Sequence, residues 1–401
     1  MLNLDSVYRA KHALRDVINN TDLIYAKSLS EDNEIYLKAE NLQITGSFKV
    51  RGAYYKISTL SEEERAKGII ACSAGNHAQG VALAGAKLNV KTKIFIPSLA
   101  PLSKVEATKK YGAEVVLIDG IYDDAYLAAK EEAAKTGAIF IHPFDDEDIM
   151  AGQGTIGLEL LDALPNIDAV VIPIGGGGLA SGVAYTIKAL KPTCKIYGVQ
   201  AAGASSMFQW VQTKSRSCNG KVSTFADGIA VKNPGELTCS LCERYLDGIV
   251  TVTEDEIATA ILTLMEQQKL VSEGAGAVSV AAVMFNKLPI KNKKVVCVVS
   301  GGNIDVTILS RVIHRGLLTS GRLSDLGIEL LDKPGELKKI SSIIADLGAN
   351  VVRVNHNYGG ENSDINGCYL QISLETRNHE HLRQIKEALI KEKYKLIGGM
   401  I

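Results

Sequence analysis

The sequence alternates short apolar runs with glycine-bearing loops and helical stretches, and this alternation constrains the fold more than any other feature. The helical stretches include 123–136 and 254–269, and the apolar runs are 68–72, 92–96, 114–118, 169–174, 195–200 and 295–300. Strands that alternate with helices predict an α/β fold in which parallel sheets are covered by helices. Ligands bind beyond the carboxyl ends of such strands, so the loops that follow the apolar runs are where we expect a site.

The order of elements changes near 316–325. Beyond this point the sequence predicts a strand (328–331), a helix opened by Pro334, Gly335 and Glu336, two strands (350–354 and 367–374), a helix (380–391) and a last short segment (394–397). This βαββαβ order is the split-βαβ plan. We therefore predict a separate small domain over residues 325–401.

Charge and hydropathy argue against several classes of partner. Lysine and arginine number 44 against 45 acidic residues, and the net charge of −1 is not gathered into basic or acidic blocks. This balance argues against nucleic acid or an anionic membrane surface as the main partner. The longest uncharged run, 169–187, contains Pro173 and four consecutive glycines. It therefore predicts a strand, a loop and a helix rather than a membrane span.

The start of the chain and its cysteines predict a cytoplasmic protein. Residues 1–9 carry early charges and no apolar segment, unlike a secretory signal. The seven cysteines are scattered, as expected in a reducing compartment. Cys239 and Cys242 form a CxxC pair without a second ligand pair nearby, which we interpret as helix packing rather than as a zinc or redox site.

Lys49 is the candidate for covalent chemistry. It lies between Phe48 and Val50, which shield its stem, and Gly46 and Gly52 stand on either side. Burial favours the neutral amine, which can form a Schiff base with an aldehyde. The alternative is an ordinary surface lysine at the start of an exposed helix, and the motif alone favours that alternative because short motifs are weak evidence.

A second candidate loop follows the apolar run 68–72 and contains Ser73, Gly75, Asn76 and His77. A loop that enters a helix offers free backbone N–H groups and a positive dipole end, which suit a carboxylate. The Asn76 side chain can also hydrogen-bond a ligand oxygen. The alternative is a plain strand-to-helix turn.

A third loop is glycine-rich. It consists of Gly175, Gly176, Gly177, Gly178 and Leu179. Four glycines leave several N–H groups exposed, so the loop can cradle a phosphate at the start of a helix. The sequence lacks the lysine of a P-loop and the spacing of a dinucleotide fingerprint, which favours a phosphate monoester over a nucleotide. A flexible loop is the alternative.

Ser300 follows the apolar run 295–299 and precedes Gly301, Gly302 and Asn303. It can serve as a polar partner for a ligand atom or only as a turn former. Together the four stretches supply an amine for an aldehyde, a carboxylate pocket, a phosphate nest and a polar partner for a ring atom. This combination fits pyridoxal 5′-phosphate.

With these four motifs in this order, the chain resembles the threonine ammonia-lyases (threonine dehydratases), in the tryptophan-synthase-β-like, fold type II group of pyridoxal-phosphate enzymes. The resemblance covers about 21–322, and the tail, with its 332–337 motif, resembles an ACT regulatory domain. It implies a catalytic region over 1–320, with a large domain of about 1–40 and 145–320 and a small domain of about 41–144.

The resemblance also implies roles for individual residues. Lys49 is the catalytic residue. The cofactor-binding residues are Phe48, Lys49, Asn76, Gly175, Gly176, Gly177, Gly178, Leu179 and Ser300. The residues implied for binding the substrate carboxylate are Ser73, Gly75, Asn76 and His77. We expect no metal ligands.

The implied reaction is β-elimination of L-threonine, and of L-serine, to 2-oxobutanoate or pyruvate and ammonia, as a first step towards isoleucine. One alternative is a serine racemase or serine dehydratase of the same fold. Ala74 stands where the racemases of that group carry a serine base, and Gln200 and Ser206 stand where carboxylates for a metal are expected. Another alternative is a degenerate core that acts as an amino-acid sensor. The ACT-like tail implies an isoleucine or valine effector and a homodimer or homotetramer.

Overall fold

The computed structural model describes residues 2–214, 222–358 and 367–397. Contacts within the chain define two compact units, Met1–Val306 and Thr307–Ile401. In the described part of the chain, no helix combines the length and the apolar character needed to cross a membrane.

In its described residues, the first unit contains two sheets of largely parallel strands. The strands are β1 (Leu23–Tyr25), β2 (Glu34–Ala39), β3 (Ile69–Cys72), β4 (Thr92–Pro97), β5 (Glu114–Ile118), β6 (Ile139–Phe140), β7 (Ala169–Pro173), β8 (Lys195–Ala201), β9 (Gly248–Val252) and β10 (Lys294–Val299). One sheet has the order β1-β2-β10-β7-β8-β9, and the other has the order β5-β4-β3-β6. Only β1 runs antiparallel to its described neighbour.

Helices connect these strands. They are α1 (Leu4–Leu14), α2 (Lys49–Ser58), α3 (Glu62–Lys67), α4 (Asn76–Lys87), α5 (Leu102–Lys109), α6 (Tyr122–Thr136), α7 (Glu147–Ala163), α8 (Gly178–Leu190), α9 (Ser206–Thr213), α10 (Glu236–Tyr245), α11 (Glu254–Thr263) and α12 (Gly274–Met284). The predicted α/β fold with parallel sheets covered by helices is confirmed.

The central strands of the larger sheet are apolar because they are buried. β10 lies between β2 and β7, with Val296 opposite both Tyr36 and Val170. The side chains of Val295–Val299 and of β7 are buried, as expected for a parallel sheet covered on both faces. All four strands of the smaller sheet fall within residues 41–144, and the strands of the larger sheet fall outside that range.

The second unit is a sheet with helices. Its elements are α13 (Val306–Thr319, which begins at the unit boundary), β11 (Leu323–Leu331), α14 (Glu336–Asp346), β12 (Asn350–Tyr358), β13 (Gly367–Glu375), α15 (His379–Lys391) and β14 (Lys395–Ile397). The strand order is β12-β13-β11-β14, and each described pair is antiparallel. Apolar side chains of α14 and α15, such as Ile340 and Ile385, pack with the sheet in one core. The βαββαβ order is confirmed.

The division into units differs from the boundary predicted near 320–325 by one helix, because α13 groups with the second unit. α13 is strongly amphipathic, as α14 and α15 are, whereas the preceding helix α12 is apolar all round. The interpretation of the second unit as an ACT-like regulatory domain stays a prediction.

Candidate active site

A cavity of about 1790 Å³ opens at the carboxyl ends of β3, β7 and β10 in the first unit. Its walls contain every side chain or glycine that the sequence analysis selected. These residues are Phe48, Lys49, Ser73, Gly75, Asn76, His77, Gly175, Gly176, Gly177, Gly178, Leu179 and Ser300. The four separate stretches are therefore brought to one place.

Lys49 is the first residue of α2, and its amine is shielded from solvent inside the cavity. Its Nζ donates a hydrogen bond to the Pro143 carbonyl at 2.8 Å and lies 5.3 Å from the centre of the Phe48 ring. Burial lowers the pKa of Lys49 to about 8, although the Glu273 carboxylate partly opposes this shift. About a tenth of the amine is therefore neutral and nucleophilic at pH 7, far more than for a lysine of ordinary pKa.

The loop after β3 holds two polar side chains at the start of α4. Asn76 donates its amide to Glu273 Oε1 at 2.7 Å and accepts a hydrogen bond from Asn303 Nδ2 at 2.7 Å. His77 is bonded through Nε2 to the Ile141 carbonyl at 2.9 Å. Burial, followed by the nearby Lys49, lowers the pKa of His77 to about 3, so its ring is neutral. These hydrogen bonds hold both side chains in place. Asn76 and His77 are the first residues of α4, so the N-terminus of this helix lies at the cavity.

Two positions in the glycine loop after β7 do not accommodate a side chain. Gly177 has φ +96° and caps α8, a conformation that L side chains rarely adopt. A Cβ atom on Gly176 would lie 2.3 Å from the Phe144 ring. Backbone N–H groups at the start of the 13-residue α8 therefore border the cavity without side chains in front of them. Such a helix N-terminus is suited to an anion.

Ser300 directly follows β10, beside the loop that leads to Lys49. Its side chain is 3% exposed, and its Oγ makes a long hydrogen bond of 3.4 Å to the Ala275 carbonyl. The Ser300 carbonyl accepts the Phe48 N–H at 3.2 Å. The end of β10 is thus tied to the start of α2, which keeps the Ser300 hydroxyl and Lys49 in the same cavity.

Comparison with known proteins gives consistent results. Residues 14–301 match the family described as pyridoxal-phosphate dependent enzyme. The L-threonine ammonia-lyase of Thermotoga maritima is 49% identical over 399 residues, which cover 99% of each chain. The catabolic L-threonine dehydratase TdcB of Escherichia coli K12 is 44% identical over 77% of this chain and 95% of its own. The structure of processed threonine deaminase isoform 2 from Solanum lycopersicum has a TM-score of 0.74 and 40% identity, covering 79% of this chain and 90% of that chain.

The chain belongs to the pyridoxal-phosphate dependent enzymes. The family's cofactor is an aromatic aldehyde that carries a phosphate monoester, and the residues of the cavity fit it. The glycine loop carries no side chain over residues 175–178 where it borders the cavity, and the buried Lys49 amine lies in the same cavity. The enzyme therefore uses pyridoxal 5′-phosphate.

Sequence reasoning missed Glu273, which lies just before α12 and is 4% exposed. Burial and then the nearby Asp227 raise the pKa of this carboxyl to about 7, while the Asn76 amide opposes the shift. Glu273 therefore changes charge within the physiological range beside Lys49 and Asn76. The sequence feature that could have pointed to Glu273 is an acidic residue among small residues in the run 272–276, directly before an apolar helix.

Sequence reasoning also missed the ionic cluster that anchors α2. Arg51 is 0% exposed and makes a two-point contact with Glu40, in which both hydrogen bonds are 2.8 Å. Its Nη1 and Nη2 donate to Glu159 at 2.5 and 2.9 Å, and Glu159 in turn contacts Lys38 at 2.6 Å. Burial alone lowers the pKa of Arg51, but the two carboxylates outweigh it and raise the pKa. These ion pairs thus anchor the first turn of α2, which begins with Lys49.

Proposed function

We propose that the protein is a threonine ammonia-lyase, which converts L-threonine to 2-oxobutanoate and ammonia and accepts L-serine as a second substrate. The observation that carries this proposal is the full-length relative named L-threonine ammonia-lyase, 49% identical over 99% of the chain. The cavity supports it, because an amine of lowered pKa, a glycine cradle and a second helix N-terminus line one space.

Lys49 has two tasks in the proposed mechanism. Pyridoxal phosphate, when bound, supplies an aldehyde for the amine and a ring that accepts electrons from the substrate. With the cofactor and an amino acid bound, the Lys49 amine, whose pKa burial lowers, would take the proton from the substrate Cα. The β-hydroxyl would leave as water with the proton that Lys49 has taken from Cα, and hydrolysis of the resulting unsaturated amine gives the 2-oxo acid and ammonia.

The loop after β3 holds the substrate in this proposal. Its Ser73 hydroxyl accepts the Gly75 N–H at 3.1 Å, which fixes the turn into α4. Gly75 has open space on the side where a Cβ would stand. The substrate carboxylate lies there, against the N–H groups at the start of α4 and the side chains of Asn76 and His77. This places the substrate Cα towards Lys49.

The cofactor lies between three groups in this proposal. Phe48 and Asn76 contact its ring, the segment from Gly175 to Leu179 holds its phosphate, and the Ser300 hydroxyl faces its ring nitrogen. A hydroxyl at that nitrogen leaves the ring a weaker electron sink than a carboxylate would. The proposed result is prompt loss of the β-hydroxyl rather than transfer of the amino group.

Racemisation is the rival reaction on the same fold, and Ala74 disfavours it. A racemase needs a second base to return a proton to the opposite face of the substrate Cα. The Ala74 methyl lies in the cavity wall between Ser73 and Gly75 and cannot carry a proton. An inactive amino-acid sensor is disfavoured by the intact Lys49.

The metabolic role and regulation are further parts of the proposal. The isoleucine pathway is the expectation from the sequence, but the E. coli relative is named catabolic, which favours degradation. We propose that residues 325–401 form an ACT-like regulatory domain that binds an amino-acid effector, isoleucine or valine. We also propose a homodimer or homotetramer in the cytoplasm.

The test is 2-oxo acid production by wild-type enzyme, Lys49→Ala and the control Lys87→Ala. Lys87 is an exposed lysine in the last turn of α4. We expect Lys49→Ala to lose at least about 10³-fold in kcat, because the covalent anchor and the base disappear together. Lys87→Ala should match wild type. Near-normal turnover by Lys49→Ala would contradict the assignment, and repeating the wild-type assay with isoleucine tests the effector.

A further inference from the structure

Three chemically different side chains meet at one end of the sheet in the second unit. Asp332 directly follows β11, His356 lies in β12 and Cys368 lies in β13. These strands are neighbours in the order β12-β13-β11. The strand register explains the meeting, because Cys368 stands opposite Leu330 in β11 and opposite Tyr358 in β12.

Register also puts His356 and Cys368 on one face. Directly paired residues of antiparallel strands share a face, and side chains alternate along each strand. Cys368 therefore shares its face with Tyr358 and, two residues earlier in β12, with His356. Strand pairing thus places the thiol and the imidazole at diagonal positions on one face of the sheet.

The distances are close to those of a metal site. The carboxylate of Asp332, the ring nitrogen of His356 and the Sγ of Cys368 all lie within 4.8 Å of one another, with His356 Nε2 3.9 Å from Asp332 Oδ1. Tetrahedral zinc with bonds of about 2.0–2.3 Å separates its ligand atoms by roughly 3.3–3.8 Å. The side chains of Asp332 and His356 are 44% and 43% exposed, so they are free to rotate the remaining distance.

The donor set selects the ion. A thiol, an imidazole and one carboxylate suit Zn²⁺, whereas Mg²⁺ and Ca²⁺ require oxygen ligands. Cys368 is only 1% exposed, which places the sulfur on the protein side of the site and the other two ligands on the solvent side. Three protein ligands leave a fourth zinc position open to water.

The CxxC pair, Cys239 and Cys242, does not form a second candidate metal site. Cys239 and Cys242 are both buried in α10, and the Cys242 thiol is engaged with Ser181 Oγ at 3.5 Å. Within residues 2–214, 222–358 and 367–397, only the Asp332, His356 and Cys368 group brings three such ligands together.

We propose that Asp332, His356 and Cys368 form a Zn²⁺ site in the second unit. This departs from the expectation, drawn from the sequence, that the protein holds no metal. An ion there joins the end of β11 to β12 and β13, so it stabilises the folded unit by mass action. The site is independent of the proposed lyase reaction, since none of its ligands belongs to the first unit.

The experiment is equilibrium dialysis of the full-length holoenzyme against Zn²⁺ after chelator treatment, with bound zinc measured by mass spectrometry. Wild type should bind one Zn²⁺ per chain. The conservative variants Cys368→Ser, His356→Gln and Asp332→Asn should each weaken binding beyond the roughly 10–100-fold that loss of an outer-shell partner costs. The matched control Cys194→Ser removes a buried thiol of the first unit and should bind zinc as wild type does.

The readouts separate the possible outcomes. Zn²⁺ should raise the unfolding temperature of wild type and of Cys194→Ser, and it should have little effect in the three ligand variants. If Cys368→Ser folds poorly, the two variants at exposed positions decide the question. No zinc bound by wild type, or zinc bound equally by wild type and by His356→Gln and Asp332→Asn, would overturn the proposal.

Discussion

Removing Arg51 should destabilise the first unit far more than removing an equally well-paired surface arginine. Arg51 and Glu40 are each fully buried, and Arg51→Met would leave the Glu40 carboxylate without its main partner. Glu159 would still be paired with Lys38 at 2.6 Å, so the uncompensated buried charge would be mainly that of Glu40. Breaking a buried ion pair in this way costs about 3–5 kcal/mol, because a charge remains buried without compensation.

The matched control is Arg383→Met in α15. Arg383 also contacts two carboxylates, Glu380 at 2.7 Å and Glu387 at 2.9 Å, but its side chain is 62% exposed. Solvent screens such pairs, so this change should cost about 1 kcal/mol or less. The comparison keeps residue type and partner number constant and changes burial.

The assay is urea unfolding of the holoenzyme followed by tryptophan fluorescence. Trp210 is the single tryptophan of the chain, and it packs against a core cluster of the first unit, so the signal reports that unit. With an unfolding entropy of about 2.1 cal/mol/K per residue, the loss should also lower Tm by about 5–8 °C. The control lies in the other unit, so its unfolding is followed by circular dichroism.

A cost below about 1 kcal/mol for Arg51→Met would refute the reasoning, because a surface pair would then be worth as much as this buried one. A second readout addresses the site. Since Arg51 is two residues from Lys49, we expect weaker cofactor binding in Arg51→Met even under conditions where the protein is fully folded.

Four further predictions concern the cavity. Reconstitution of the cofactor-free protein with pyridoxal phosphate should accelerate as pH rises through about 8, because Lys49 must be neutral to attack the aldehyde. Glu273→Gln should move that midpoint to lower pH, since the Glu273 carboxylate raises the pKa of Lys49; stopped-flow absorbance measures both. Gly176→Ala should weaken cofactor binding by at least about 10-fold, because its Cβ would lie 2.3 Å from the Phe144 ring; dialysis and absorbance measure the retained cofactor. Ala74→Ser should gain D-serine formation from L-serine, seen by chiral chromatography, because it adds a hydroxyl that can carry a proton.

Specific results would contradict these predictions about the cavity, and Gly248→Ala is the control for Gly176→Ala. Gly248→Ala, in β9, places its Cβ no closer than 3.5 Å to the nearest side chain and should retain the cofactor. An equal loss of cofactor in the two glycine variants would contradict the cradle. A reconstitution midpoint near the ordinary lysine pKa, or one unmoved in Glu273→Gln, would contradict the account of Lys49. Substantial D-serine from the wild type would remove the argument from Ala74.

The sequence predicted the fold class and the location of the cavity because both depend on local patterns. The cavity loops at 73–77, 175–179 and 300–303 each follow an apolar strand, and the glycines of 175–178 are visible in the sequence itself. Parallel pairing then brings the ends of β7 and β10 to one edge. The helix expected over 254–269 is confirmed in its extent, but it changes from an α-helix over Glu254–Thr263 to a π-helix over Leu264–Gln268.

The residues that sequence reasoning missed are defined by distant contacts. Glu273 and Asn76 are bonded at 2.7 Å although 197 positions separate them, and Arg51 meets Glu159 across 108 positions. A single sequence gives no pairing signal over such distances. The same holds for Cys368, whose meeting with Asp332 depends on a strand register that only the folded sheet establishes.

The most direct test of the central claim is the stoichiometry of products from L-threonine with purified holoenzyme. The account predicts 2-oxobutanoate and ammonia in a one-to-one ratio, with no external acceptor for the amino group. It also predicts that the cofactor remains in its aldehyde form after many turnovers. Threonine left unchanged, threonine isomerised without release of ammonia, or 2-oxo acid formed only with an added amino acceptor would contradict the assignment as an ammonia-lyase.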